Sequence, residues 1–244
     1  MLDFNSHDVS EHLGSLIDVA LERSAAAEPA RPYLGASSLG EECSRRLQFQ
    51  FFDTPKDVGR HIPGRVLRVF KRGHRMEDWM ADWLRLAGFE LRTHTEAGGQ
   101  FGFKAADGRV AGHADGIIVA GPASFRYPML WENKAVGTKT FRDLQKKRLA
   151  ASRPVYAAQV ALYQAYLDLH EHPALFTAVC ADDMAIYAER VVFDRGLAQR
   201  ASDRAVEILR ACDAGEALPR ISTTPTHYTC RSCPWQDRCW SLPH

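Results

Sequence analysis

The sequence predicts a mixed α/β domain, and three observations carry that prediction. A helical apolar pattern covers residues 64–87, and four short strand-like segments follow between residues 89 and 136. A second helical stretch, two more strand-like segments and a last helix then complete an order of helix, strands, helix, strands, helix. That order suits a sheet flanked by helices, and no internal repeat or low-complexity tract interrupts it.

In order along the chain, the first fifty residues read as two helices, Ser6 to Glu22 and Ser38 to Phe52, joined by an Ala/Pro-rich linker from Ala25 to Pro32. From Gly64 to Ala87, Leu67, Phe70, Met76, Met80, Trp83 and Leu84 recur near three- and four-residue spacing, and Gly88 is placed to end the helix. Strands are expected at Phe89 to Thr95, Gln100 to Ala105, Arg109 to Val119 and Pro128 to Val136, with Asp107-Gly108 as a hairpin signal. A basic helical connector leads to a helix from Pro154 to His170, with proline suited to its first turn. Two strands at Ala174 to Ala181 and Ala185 to Phe193, a helix from Gly196 to Cys212 and an irregular cysteine-bearing tail complete the chain. The reading is of one domain over residues 1–244. It comprises an N-terminal helical segment (1–63), a core (64–193) and a C-terminal helix with its tail (194–244).

At 244 residues, 45% hydrophobic and 25% charged, the chain has the composition of a globular protein. A chain of this size buries roughly 70% or more of its unfolded surface. No apolar run approaches the roughly 20 residues that span a bilayer. The opening residues lack the basic-then-apolar plan of a signal peptide, so no membrane association and a cytoplasmic location are expected. In that compartment the six cysteines read as reduced thiols or metal ligands. The net charge of +1 says little, because what matters for nucleic acid is where the charge lies. Arg60, Arg65, Arg68, Lys71, Arg72 and Arg75 run without an acid among them, and Arg142, Lys146, Lys147, Arg148 and Arg153 form a second cluster. Each suits a phosphate backbone, and each is explained equally well as a solvated helix face. There is no phosphate-binding Gly-xxxx-Gly-Lys-Ser/Thr loop, so a helicase would have to be a partner.

The residues that carry chemistry are Asp115, within Gly112-His113-Ala114-Asp115-Gly116, and Glu132-Asn133-Lys134 in the last of the four strands. Alternation puts Glu132 and Lys134 on one face of that strand, about 6 to 7 Å apart along it. Charged groups on an otherwise apolar strand cost several kcal/mol if left unpaired, so they call for a ligand or a reaction. Glu77 falls at seven-residue intervals with Phe70 and Leu84 and interrupts the apolar side of its helix. Taken singly, each acid is most simply a solvated boundary residue. Together, Glu77, Asp115 and Glu132 form an oxygen set suited to Mg²⁺ or Mn²⁺, with Lys134 placed to orient water or stabilise a developing oxyanion, a combination that implies phosphate-ester hydrolysis. Downstream, Tyr156, Gln159 and Tyr163 share one helix face, a spacing common in cores that also offers hydrogen bonds to the Lys134 region, a water or a nucleotide.

These residues resemble the PD-(D/E)XK nucleases, specifically their RecB-like branch. Asp115 and Glu132-Asn133-Lys134 match the signature pair, Gly73 to Glu77 looks like the Gly-xxx-Glu helix motif, and Tyr156-xx-Gln159-xxx-Tyr163 looks like the motif after the core. The resemblance covers roughly residues 37 to 240. It implies a restriction-endonuclease-like core with a mixed central sheet. It also implies that Glu77, Asp115, Glu132 and the Asn133 carbonyl ligate Mg²⁺ or Mn²⁺, that Lys134 is catalytic, and that Gln159 and Tyr163 lie near the substrate. Glu77 stands where many RecB-like members carry histidine, which makes the glutamate-using branches, phage recombination exonucleases among them, the better match. His74 is out of register with that position.

Cys230-xx-Cys233-xxxxx-Cys239 is too dense for chance packing, and three local thiols need a fourth. Spacing alone leaves Cys43, Cys180 and Cys212 as candidates. The resemblance points to Cys43, because AddB-type and CRISPR-associated relatives place one cysteine before the core and three after it around a 4Fe-4S cluster. Cys180 and Cys212 then read as packing residues, and zinc is the competing metal. The resulting expectation is an iron-sulfur-containing, Mg²⁺- or Mn²⁺-dependent DNA exonuclease acting on single-stranded or duplex ends in recombination, repair or CRISPR spacer acquisition, with a helicase, recombinase or integrase as partner. A non-catalytic nucleic-acid-binding or assembly subunit is the main alternative, although an inactive copy should have lost the acids. A redox enzyme is disfavoured because Pro234-Trp235 follows the Cys-xx-Cys pair.

Overall fold

In the computed structural model, residues 7–29 and 31–242 are described. The N-terminal part comprises α1 (His7–Ala26), the two-residue strand β1 (Leu34–Gly35), a 3-10 turn (Ala36–Ser38), α2 (Ser44–Phe51) and α3 (Gly64–Leu86). The expected start of the first helix at Ser6 lies outside the described residues. The second helix begins at Ser44, not Ser38, because the preceding chain is held against another element. A Cβ on Gly40 would come within 2.6 Å of the Val155 Cα. The Arg204 guanidinium donates to the Leu39, Glu41 and Glu42 carbonyls, which satisfies them without helix.

Five strands follow, β2 (Glu90–Arg92), β3 (Gly102–Ala105), β4 (Val110–His113), β5 (Gly116–Ala120) and β6 (Met129–Val136). The expected strand from Arg109 to Val119 is two strands in different sheets, separated at Ala114-Asp115. Beyond them lie α4 (Thr138–Ser152), α5 (Pro154–Tyr166), β7 (Ala174–Cys180), β8 (Ile186–Val191) and α6 (Arg195–Asp213). The tail forms two short helices, α7 (Tyr228–Arg231) and α8 (Gln236–Ser241). Helix α5 stops four residues before the expected His170, where Asp168 turns left-handed at φ 55 and the Leu169 N–H returns to the Gln164 carbonyl.

The main sheet has the order β2-β5-β6-β7-β8, antiparallel except where β6 and β7 run parallel. A smaller sheet, β1-β4-β3, stands beside it. Strand β6 shows how the core is divided. Met129 and Trp131 pack with Met76, Met80 and Ala81 of α3, whereas Leu130 and Val136 pack with Leu144, Val160, Leu162 and Ile208 of α4, α5 and α6. This period-two alternation assigns Glu132 and Lys134 to the α5 side. The buried stripe of α3 is narrower than its sequence suggests, since Phe70 is exposed. The segment after α2 meets the tail: the Asp57 carboxylate accepts the Asp237 N–H at 2.6 Å, and Trp235 Nε1 donates to the Thr54 carbonyl at 2.8 Å. No helix among the described residues is long and apolar enough to cross a membrane.

Candidate active site

Asp115 sits where the chain passes from the small sheet to the large one. Two glycines allow this crossing. A Cβ on Gly112 would overlap the Tyr163 ring and approach the Ala36 Cβ to 2.8 Å, and one on Gly116 would meet Leu91 Cδ1 at 2.7 Å. The strand ends can therefore pass under Tyr163 and β2, which brings Asp115 Oδ2 to 2.7 Å from the Asn133 N–H. Glu132 is fully buried. Its Oε1 accepts from Lys134 Nζ and, at 2.7 Å, from Gln159 Nε2, while Oε2 has no partner among the described residues. Gln159 Nε2 also donates to the Tyr163 hydroxyl at 3.3 Å, and Lys134 Nζ lies 5.5 Å from the centre of the Tyr156 ring. On the opposite face, Trp131 Nε1 donates to Thr177, whose hydroxyl donates to Asn133 Oδ1 at 2.9 Å.

Glu77 approaches from α3. It lines a cleft of about 450 Å³ with Asp115, Trp131, His74, Arg85, Thr93 and His94, and Glu132 is not part of that lining. Burial pushes the Glu77 carboxyl up to about 7, with the Asp115 charge adding to the effect. Burial and then Asp115 push Glu132 up to about 8. Asp115 is raised as well, chiefly by burial, against the lowering pull of Lys134, the Asn133 N–H and His74. Burial opposes the charge on Lys134, but Glu132 and Asp115 outweigh it and hold the ammonium above the usual lysine range. Burial likewise raises the Tyr163 hydroxyl, with Glu132 adding to it.

The acids thus share one electrostatic field, but they do not form a closed cage. Among the described residues, no three His, Cys, Asp or Glu side chains stand close enough together to hold one metal ion. Asp115 is turned onto the Asn133 amide and Glu132 Oε1 onto Lys134 and Gln159. The donor set and its one orphaned, fully buried carboxylate oxygen nevertheless fit a divalent cation, because a buried acid with an unmet oxygen is otherwise costly. Sequence reasoning passed over His74 and His94 as cleft residues. The available signal was His74 lying one helical turn before Glu77 on the same face. The basic run ahead of Glu77 is partly neutralised from outside itself, as Asp18 of α1 pairs with Arg68 at 3.3 Å and Asp78 with Arg75 at 3.4 Å.

Far along the chain, Cys43, Cys230, Cys233 and Cys239 line a single cavity with Arg46, Phe49, Arg220 and Trp240. Cys180 and Cys212 are buried elsewhere, in β7 and α6.

The sequence profile of the PD-(D/E)XK nuclease superfamily matches residues 3–240, nearly the whole chain. The chain belongs to the PD-(D/E)XK nuclease superfamily. Its fold is similar to that of an alkaline exonuclease from Laribacter hongkongensis, with a TM-score of 0.52 and 14% identity over 76% of this chain and 90% of that one. The same exonuclease in complex with dAMP matches at a TM-score of 0.50 and 14% identity, over 82% of this chain and 93% of that one. The structure titled SSO0001 also matches at 0.50 and 14% identity, over 95% and 96% of the two chains. At that identity the likeness is one of fold. No curated protein sequence matches the chain. Asp115 and Glu132-Asn133-Lys134, the residues on which the sequence resembles the family, are joined by the Asp115–Asn133 and Glu132–Lys134 contacts.

Proposed function

We propose that this chain is a Mg²⁺- or Mn²⁺-dependent DNA exonuclease that carries a structural 4Fe-4S cluster. The observation that carries the first part is Glu132, a fully buried carboxylate with one oxygen held by Lys134 and Gln159 and the other left without a partner beside Asp115. Glu77, Asp115, Glu132 and the Asn133 carbonyl would hold the cation, which supplies positive charge at the scissile phosphate and a water of lowered pKa. The chain's own residues do the rest. Lys134, kept charged by its two acidic neighbours, orients the attacking water and stabilises the negative charge that develops on the phosphate. Gln159 fixes the Glu132 carboxylate so that Oε2 stays presented, and Tyr163 holds Gln159 in turn. DNA as substrate and cleavage from ends accord with the similar exonuclease fold, and the dAMP bound by that exonuclease is the kind of mononucleotide that end-wise hydrolysis of DNA releases.

For the second part, four thiols from opposite ends of the sequence, Cys43 with Cys230, Cys233 and Cys239, line one cavity. Four thiolates are the ligand set of a 4Fe-4S cluster, and zinc is the competing occupant.

The test is incubation of purified protein with end-labelled single- and double-stranded DNA and Mn²⁺. Asp115→Ala and Lys134→Ala are each expected to reduce cleavage by at least about a hundredfold. Cleavage by either variant at the wild-type rate would refute the assignment.

A further inference from the structure

Arg45 is among the largest fully buried side chains of the protein, at 2% exposure. A guanidinium stays charged at any pH a folded protein survives, so its burial calls for a counter-charge close by. Among the described residues no carboxylate pairs with it, although Arg46, next in sequence, pairs with Glu41 at 3.3 Å. Instead, Arg45 Nε donates to the Leu218 carbonyl, and Nη1 points at Cys239 Sγ, 3.9 Å away and 194 residues distant in sequence. A sulfur bearing negative charge is the anion this geometry offers it among the described residues.

We propose that Arg45 is a buried counter-cation behind Cys239 at the four-cysteine site, whose cavity itself is lined by two further guanidinium groups, Arg46 and Arg220. It acts as a positioning residue that donates to Cys239 Sγ, offsets the charge of the ligating sulfurs, and so slows metal loss and favours the reduced form of the cluster. This rests on the reading of that site as a 4Fe-4S centre. The position of Arg45 on α2, two residues after Cys43, lets one side chain link the front ligand segment to the last ligand of the tail. Hydrogen bonds to cluster sulfurs and nearby positive charge both act on the reduction potential of such centres.

The experiment uses the full chain purified without oxygen, as wild type, Arg45→Lys and Arg45→Gln. For each, iron and acid-labile sulfide are measured, the rate of iron transfer to a ferrous chelator is followed, and the potential is read by spectroscopic redox titration. Arg45→Gln keeps a donor but loses the charge. It is expected to release iron about ten times faster, or more, and to be reduced at a more negative potential, whereas Arg45→Lys stays near wild type. Equal behaviour of Gln and wild type overturns the role of Arg45 and leaves the cluster standing. A wild-type protein that holds no iron overturns both. Should Arg45→Gln fail to fold, Cys239→Ala and Cys233→Ala supply the reverse cut. Loss of Cys239 strands the guanidinium and is expected to lower the melting temperature further than loss of Cys233, and an equal fall counts against the proposal.

Discussion

Gln159 shows how much a single side chain contributes here. Its amide is buried among Glu132 and Tyr163, and its own Oε1 has no partner, so its placement is justified by the carboxylate it holds. Gln159→Ala frees Glu132 to rotate, and the Mn²⁺ concentration needed for half-maximal cleavage is expected to rise by about 10- to 100-fold. A titration of rate against Mn²⁺ reads this directly, and an unchanged midpoint would remove Gln159 from the site. The pH dependence follows from the same acids. Glu77 and Glu132 bind protons more tightly in the folded chain than in the unfolded one, near 7 and 8 against a reference of 4.5. Their contribution to stability is therefore fully present below the reference value and is lost as pH rises through 7 and 8. A bound cation removes this penalty by replacing the proton. The gain in melting temperature on adding Mg²⁺ is thus expected to be larger at about pH 8.5 than at about pH 6. An equal gain at both would show that the cation does not compete with these protons.

At the level of elements, the site depends on two strands that end side by side. The pattern from Arg109 to Val119 looks continuous because both halves are apolar. The break at Ala114-Asp115 arises because the halves join different sheets, a tertiary choice that period-two patterning does not record. Gly112 is one of the two glycines that allow the crossing. Gly112→Ala is expected to destabilise the protein by about 1 to 3 kcal/mol in urea unfolding, since its Cβ meets packed neighbours. Gly73→Ala is the control. It lies inside α3 with open space around it and should gain up to about 1 kcal/mol, as helix propensity dictates. Loss of stability in both would mean that the Gly112 effect is not one of packing.

Across the whole molecule, the acids and the thiols are separate centres joined by the fold. The tail holds its place through Trp235, which donates to Thr54 and packs against Phe49 with ring centres 5.9 Å apart. Trp235→Ala is expected to cost about 3 to 5 kcal/mol in urea unfolding and to loosen metal retention at the cysteines. An unchanged unfolding midpoint would show that the tail is held by other contacts. The family and most elements could be read from the sequence because they depend on short-range order. The 3.6 and 2.0 periods, the Gly88 stop, and the ordered spacing of Asp115, Glu132-Asn133-Lys134 and Gln159 are all of that kind. The delayed start of α2 could not be read, because Gly40 and Arg204 enforce it across long sequence separations.

By itself, the sequence determined the family and singled out the candidate residues: acids and a lysine on an apolar strand, and three cysteines crowded into a tail, each a pattern that calls for a ligand. Only the tertiary structure decided where those residues meet. It put Cys43 on one cavity with the three tail cysteines, gave one Glu132 oxygen to Lys134 and Gln159 while leaving the other without a partner among the described residues, and buried Arg45 against Cys239. The reason is physical: residue type and local period are properties of neighbouring positions, whereas burial and the choice among distant partners exist only once remote segments have packed.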